Sequence, residues 1–288
     1  MIASSHCGWQ SGRDRTCGQT MAKNQFRMLR SALSGVEAVE AETHHSFARH
    51  THEQFGIGLM SAGAQSSLSG RGMVEAEAGD IITVNPNEVH DGAPIGEGRS
   101  WRILYFDPAI VSGLSQEISE SGAGRSEIPH PVIRNAEIAA RFETLFGAVT
   151  GDGAADELLH EELLLQLVAD VMRERSGTEG RPLVPASIRA ARDLIDDDPL
   201  AAVSLADLSR ESGLSRFQVL RGFAKATGLT PHAYLVQARI HIARRLIAQG
   251  MPLAEAAFAS GFADQSHMTR VFVRKYGLSP RLYAGAFL

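Results

Sequence analysis

"LADLSRESGLSRFQVLRGFAKATGLTP" runs from Leu205 to Pro231, and "LAEAAFASGFADQSHMTRVFVRKYGLSP" runs from Leu253 to Pro280. The two stretches are one unit written twice. Leu205 aligns with Leu253 and Gly213 with Gly261 at an offset of 48; Arg221 aligns with Arg270, Phe223 with Phe272, Gly228 with Gly277 and Pro231 with Pro280 at an offset of 49. Each unit reads as a short helix, a glycine-containing turn and a longer helix, the outline of a helix-turn-helix. In the longer helix of the first unit, Val219 and Phe223 are spaced to face a core, while Arg216, Phe217, Leu220, Arg221 and Ala224 fall on the other side. In the second unit Met268 and Phe272 face in, and Gln265, Ser266, Thr269 and Arg270 face out. Such outward faces suit the major groove, where Arg reads guanine, Gln reads adenine and an apolar group meets a thymine methyl. Two copies are too few for a solenoid, the other use of repeated helical hairpins.

Between the units, "PHAYLVQARIHIARRLIAQG" keeps helical period at Tyr234, Leu235, Ala238, Ile242 and Leu246, and Arg239, Arg244 and Arg245 add positive charge. A helix of about 17 residues spans about 25 Å, enough to set two reading helices roughly one DNA turn, about 34 Å, apart on one face of a duplex. The charge is divided accordingly. Residues 181–288 carry 14 Lys+Arg against 8 Asp+Glu, a net of +6; the remainder carries 14 against 25, a net of −11, within a total of −5 over 288 residues. One half is built to meet a polyanion and the other is not.

The region from Ser187 to Ala286 resembles the DNA-binding domain of the AraC/XylS family of transcriptional regulators. The resemblance rests on Gly261-Phe262 at the turn, Arg270-Val271-Phe272 in the helix and Gly277-Leu278-Ser279-Pro280 after it. It implies base contacts by Arg216, Phe217, Leu220 and Arg221 from the first reading helix, and by Gln265, Ser266, Thr269 and Arg270 from the second. Leu220 stands where a polar reader is often found, and either touches a thymine methyl or is silent.

The acidic half is written differently. "FGIGLMSAG", "GDIITVNP" and "WRILYF", within residues 31–130, are short apolar runs bounded by Gly, Pro, Asn or Ser. That spacing indicates a β-barrel or sandwich. "IRNAEIAARFETLFGAVTG" and "DELLHEELLLQLVADVMRER" then switch to helical period, and Leu158, Leu159, Leu163, Leu167 and Met172 line one side of the second, widened by Leu164 and Leu165. This leucine face suits either a dimer contact or the covering of the barrel. "RSGTEGRPLVPAS", Arg175 to Ser187, reads as a linker.

His50 and His52 alternate in one expected strand and so share a face, and His90 follows a Pro-Asn turn. Three imidazoles meeting inside a barrel can hold a metal or serve as polar groups in a pocket. These segments resemble the cupin-type effector-binding domain of AraC-type regulators over roughly Ser46 to Pro108: His50-x-His52-Glu53, then Gly79-Asp80, then Asn85-Pro86-x-Glu88-x-His90. They depart from metal-binding cupins, which place a Glu after His-x-His with three or four residues between, where this chain has Gly56 and Ile57; Pro86-Asn87-Glu88 also replaces Pro-x-Gly. Both departures favour a pocket with no metal and no other cofactor over a metal-dependent cupin enzyme, the rival reading. The expected pocket residues are His50, His52, Glu53, His90, Trp101, Arg102 and Tyr105, with Arg102 suited to a carboxylate.

The first 30 residues are polar, hold Cys7 and Cys17, and lack the apolar core of a signal peptide; Met21 and Met28 are alternative starts. No apolar run approaches the roughly 18–20 residues of a membrane span, and no Gly-x-Ser-x-Gly, Walker loop, Gly-x-Gly-x-x-Gly or Cys-x-x-Cys occurs. The chain therefore reads as an α+β, two-domain, cytoplasmic transcription regulator, with activation as the expected mode. It has a disordered lead over 1–30, a cupin-like β-barrel with a helical pair over 31–174, a linker over 175–187 and an all-α tandem helix-turn-helix over 188–288. The expected partners are double-stranded DNA, a small-molecule effector, a second copy in a homodimer and RNA polymerase.

Overall fold

The computed structural model describes residues 25–118, 127–151, 157–173 and 184–287. The cysteines, Met21, and residues 175–183 of the expected linker lie outside them.

Among the described residues, eight antiparallel strands form the first half: β1 (Gln25–Leu29), β2 (Val36–Thr43), β3 (Phe47–His50), β4 (Phe55–Ser69), β5 (Gly72–Glu77), β6 (Ile81–Val84), β7 (His90–Phe106) and β8 (Val132–Ile133). The sheet path is β1-β2-β7-β4-β6-β8, with β3 added on β7 and β5 on β4. β1 is a correction to the expected lead: Phe26 and Met28 belong to a strand paired with Ala41 and Val39 of β2. β4 and β7 are longer than the apolar runs that mark them, because each continues through a polar half and bends at register shifts between Met60 and Ala62 and between Gly63 and Ala64.

Side-chain parity gives the sheet two faces. Ala38, Ile57, Leu104 and Phe106 point to a core completed by three helices, α1 (Pro108–Ile118), α2 (Ala136–Thr150) and α3 (Glu157–Arg173), where Phe142, Leu145 and Leu167 are fully buried. The run opened by Pro108 is helical, inside a stretch whose short apolar runs read as strands. The leucine face of α3 divides. Leu164, Leu167 and Met172 enter this core, whereas Leu158, Leu159 and Leu165 are exposed.

The second half contains α4 (Ala186–Asp197), α5 (Leu205–Ser212), α6 (Arg216–Thr227), α7 (Pro231–Ala248), α8 (Leu253–Ala259), α9 (Gln265–Tyr276) and α10 (Pro280–Ala284). The repeat is punctuation as well as packing. Gly228 and Gly277 end α6 and α9 in the left-handed conformation, Thr230 and Ser279 then cap the next helix with their hydroxyls, and Pro231 and Pro280 start it. Gly-Leu-Thr-Pro and Gly-Leu-Ser-Pro are thus a stop, a cap and a start. Two cores result. Val219 and Phe223 pack with Ile188, Ile195 and Leu208; Met268 and Phe272 pack with Ile240, Ile247 and Phe262.

α7 lies between the two units and against the sheet, so its charges do structural work. Arg239 donates to the carbonyls of Pro199 (2.8 Å), Gly261 (3.1 Å) and Ala201 (3.4 Å). Arg244 pairs with Glu37 of β2, and Arg245 with Glu53 at 2.5 Å. These three arginines, expected to add to a DNA-facing charge, tie the fold together instead.

Candidate effector pocket and DNA-reading faces

The reading helices expose the residues the repeat singles out. On α6, Phe217 is 64% and Leu220 40% exposed, Arg216 and Arg221 are exposed, and the Arg221 guanidinium lies 5.5 Å over the Phe217 ring. On α9, Gln265, Ser266 and Arg270 are exposed and Thr269 is half-buried. The two helices begin at the side-chain caps Ser215 and Asp264 and present their N-terminal turns outward, the ends that a major groove receives. Their C-terminal ends are covered by the sheet. Arg49 donates to the Gly228 carbonyl at 3.2 Å, and a β-carbon on Gly228 would lie 3.0 Å from Val89.

The other face of the sheet forms a cavity of about 120 Å³, several times the space of one ordered water. Along β7 the odd positions Arg99, Trp101, Ile103 and Tyr105 line it. Arg102 sits on the opposite parity: it pairs with Glu40 at 3.2 Å and lies over Phe146, outside the cavity. Glu53 is also outside, engaged by Arg245. Of the seven expected pocket residues, His50, His52, His90, Trp101 and Tyr105 come together and Glu53 and Arg102 do not.

The three histidines meet because β3 and β7 place His50 directly across from His90. Their ring centroids are 4.4 Å apart, and His52 stands 5.0 Å from His50 and 5.2 Å from His90. Burial lowers the pKa of all three, and for His50 and His52 the neighbouring histidines lower it further. Burial likewise raises the Tyr105 phenol.

Arg99, missed by the motif reading, is 2% exposed. Its guanidinium stacks 5.1 Å from the Trp101 ring centroid and 5.8 Å from that of Phe47, and Nη2 donates to the Gly92 carbonyl at 3.1 Å. Its Nε and Nη1 are buried without a partner, and burial lowers its pKa to about 10. The parity that admits Trp101 also admits Arg99; that signal was in the sequence.

The C-terminal half closes the cavity. Lys275 and Tyr276 of α9, Arg244 of α7 and Tyr283 of α10 line it. Lys275 is 4% exposed and donates to Gln237 Oε1 at 2.7 Å and to the Arg49 carbonyl at 3.4 Å; burial, then Arg274, lower its pKa to about 8. No local pattern marks Lys275, since its role depends on the sheet docking beside it. The acidic residues of the lining are already committed. Glu37 takes Arg244, Gln54 and Tyr283; Glu88 takes the Gly70 amide and Asn85; Asp91 takes the Leu68 amide and faces Arg49. Among the described residues, no carboxylate pairs with Arg99 or Lys275.

A sheet with a ligand-sized cavity, joined to paired helix-turn-helix units, defines a transcription regulator with a small-molecule-binding domain. Residues 33–168 match the AraC-like ligand binding domain and residues 208–286 a helix-turn-helix domain. The HTH-type transcriptional regulator YbfI of Bacillus subtilis is 31% identical over 226 residues, 77% of this chain and 81% of that one. The HTH-type transcriptional activator RhaS of Escherichia fergusonii is 24% identical over 83% of this chain and 86% of its own. Among solved structures, unsaturated-fatty-acid-bound ToxT from Vibrio cholerae shares the fold at a TM-score of 0.55 and 14% identity, covering 92% of this chain and 97% of that one. The chain belongs to the AraC family of transcriptional regulators. This membership favours regulation over the metal-dependent cupin enzyme. No helix among the described residues is long and apolar enough to cross a membrane.

Proposed function

We propose that a compact molecule with an apolar body and a carboxylate or similar anion occupies the cavity between the sheet and α7, α9 and α10, and so controls how the reading helices meet DNA. The carrying observation is the buried Arg99, which lines an aromatic-walled cavity that α9 helps to close and keeps two nitrogens without a partner. A buried, planar cation with free N–H groups suits a carboxylate held by paired hydrogen bonds. ToxT, of similar fold, is described with a bound unsaturated fatty acid. A ligand that touches both halves binds one domain arrangement better than another, and this difference is what regulation requires.

In this reading, Arg216, Phe217, Leu220, Arg221, Gln265, Ser266, Thr269 and Arg270 contact DNA. The effector contacts His50, His52, His90, Trp101 and Tyr105, with Arg99 and Lys275 added. The domains run from β1 through α3 and from α4 onward. The exposed Leu158, Leu159 and Leu165 supply a homodimer face, and the regulator acts in the cytoplasm as an activator that engages RNA polymerase.

The experiment is thermal unfolding of the full chain with a panel of aromatic and aliphatic carboxylates and their matched primary amides. At least one carboxylate should raise Tm where its amide does not, and Arg99→Gln should remove the increment. Equal effects of acid and amide across the panel would overturn the anionic assignment.

A further inference from the structure

We propose that His50, His52 and His90 bind one divalent transition-metal ion in the wall of the cavity. Their ligand nitrogens lie within 4.8 Å of one another. Backbone contacts orient two of the rings. His50 Nδ1 lies 2.8 Å from the Ala48 carbonyl and His90 Nδ1 lies 3.0 Å from the Glu88 carbonyl. A carbonyl oxygen only accepts, so each Nδ1 carries the proton and each Nε2 presents a lone pair. An N–H held by a backbone carbonyl is the support that metal-ligating histidines ordinarily have. His52 is 5% exposed and its Nδ1 is buried with no partner in the protein. Such an orphaned nitrogen costs free energy unless something binds it.

The donor set selects the ion. Three imidazoles without a carboxylate suit Zn, Co, Ni or Fe(II) rather than Mg or Ca. The glutamate that metal-binding cupins add is not needed, since three protein ligands plus an open position already make a zinc site. Glu53, the nearest acid in sequence, is turned away to Arg245. Metal–nitrogen bonds of about 2.0–2.1 Å place tetrahedral nitrogens about 3.4 Å apart. Closing from 4.8 Å asks for a movement on the order of 1.4 Å, within the reach of ring rotations. The open position faces the cavity, where an anionic molecule completes the coordination. The site does not depend on the carboxylate-effector reading: metal content and carboxylate-dependent Tm are separate measurements.

The test uses tag-free, full-length protein, stripped with chelator and titrated with Co(II) and, separately, Zn(II). The expected result is one equivalent bound per chain, with visible Co(II) d–d absorption and paramagnetically shifted, exchangeable imidazole N–H resonances. His52→Ala and His90→Ala should lose stoichiometric binding, while Cys7→Ser/Cys17→Ser should retain it. The wild-type resonances report on the ligands even if a histidine variant fails to fold. Absence of stoichiometric binding, absence of shifted imidazole signals, or binding that disappears with the cysteines would overturn the proposal.

Discussion

Phe26 of β1 lies against Gly277 at the end of α9, so close that a β-carbon on Gly277 would come within 2.5 Å of its ring. Gly228, at the end of α6, meets Val89 and Arg49 in the same way. Both reading helices therefore end on the ligand-binding half. Val89 precedes His90, and Lys275 lies two residues before Gly277, so the cavity wall and the helix ends share backbone segments. In the proposed reading, a ligand that shifts β3, β7 or Lys275 would act on the orientation of α6 and α9 through these contacts.

Gly277→Ala should destabilise the protein through two separable causes. The residue sits at φ 76°, where a side chain costs about 1–2 kcal/mol, and the added carbon meets Phe26. Combining it with Phe26→Ala should recover the steric part and leave the conformational part. A double-mutant cycle on thermal unfolding measures the two, and strict additivity would show that the contact is not made in solution.

Glu37→Gln should loosen the two halves. Burial disfavours a charged Arg244, but Glu37 together with Tyr283, Tyr276 and Tyr105 outweighs it and raises its pKa. Removing one partner of a buried pair costs about 3–5 kcal/mol. Hydrogen exchange should then accelerate in α7 and along β2. Arg27→Gln, which breaks the exposed pair with Glu40, should change stability by no more than about 1 kcal/mol. Equal exchange in both variants would remove the buried pair from the docking account.

The repeat disclosed the C-terminal half because helix stops, caps and starts are local: Gly-Leu-Ser-Pro names its own conformation. The pocket was legible in part. His50, His52, Trp101 and Tyr105 follow from parity, and parity applied strictly to β7 replaces Arg102 with Arg99. Lys275, Tyr276 and Arg244 were not legible. They lie on helices whose periodicity reports only the nearest core, and what they face is set by docking against residues about 170–250 positions away, as in Gln237 to Thr51 and Tyr283 to Glu37. Arg239, Arg244 and Arg245 misled for the same reason, since a basic residue on a helix looks alike whether it meets phosphate, carboxylate or a backbone carbonyl.

Arg270→Ala and Arg239→Ala should separate reading from scaffolding. Arg270 is exposed on α9, and its loss should cost about 1–3 kcal/mol at a specific site, concentrated at one base pair. Arg239→Ala instead removes donors to three carbonyls and should lower Tm while weakening all sites alike. Binding to a panel of single-base operator variants distinguishes them. A uniform loss for Arg270→Ala would make it a phosphate contact.

Lys275 gives effector binding and stability opposite responses to alkaline pH. Burial, then Arg274, hold its pKa at about 8 against an ordinary 10.5, with Gln237 and the Arg49 carbonyl as its hydrogen-bond partners and His50 and His241 facing it as neutral rings. Below pH 8 the folded protein carries a buried ammonium without a paired carboxylate. Between pH 8 and 10.5 the unfolded chain binds this proton and the folded chain does not, so this group's contribution to stability rises with pH across that window. An anionic ligand has the reverse preference, because it needs the ammonium. Affinity for a carboxylate that raises Tm in the panel should be level below pH 8 and then fall, by up to about tenfold per unit. Lys275→Met keeps the packing and removes the charge. It should bind the carboxylate weakly at pH 7 and lose the alkaline fall, and the wild-type-minus-variant stability difference should rise from pH 8 toward 10.5. Calorimetric titration over pH 7–10 checks the affinity. A wild-type affinity that stays constant across that range would remove Lys275 from the anion site and leave Arg99 to hold the ligand alone.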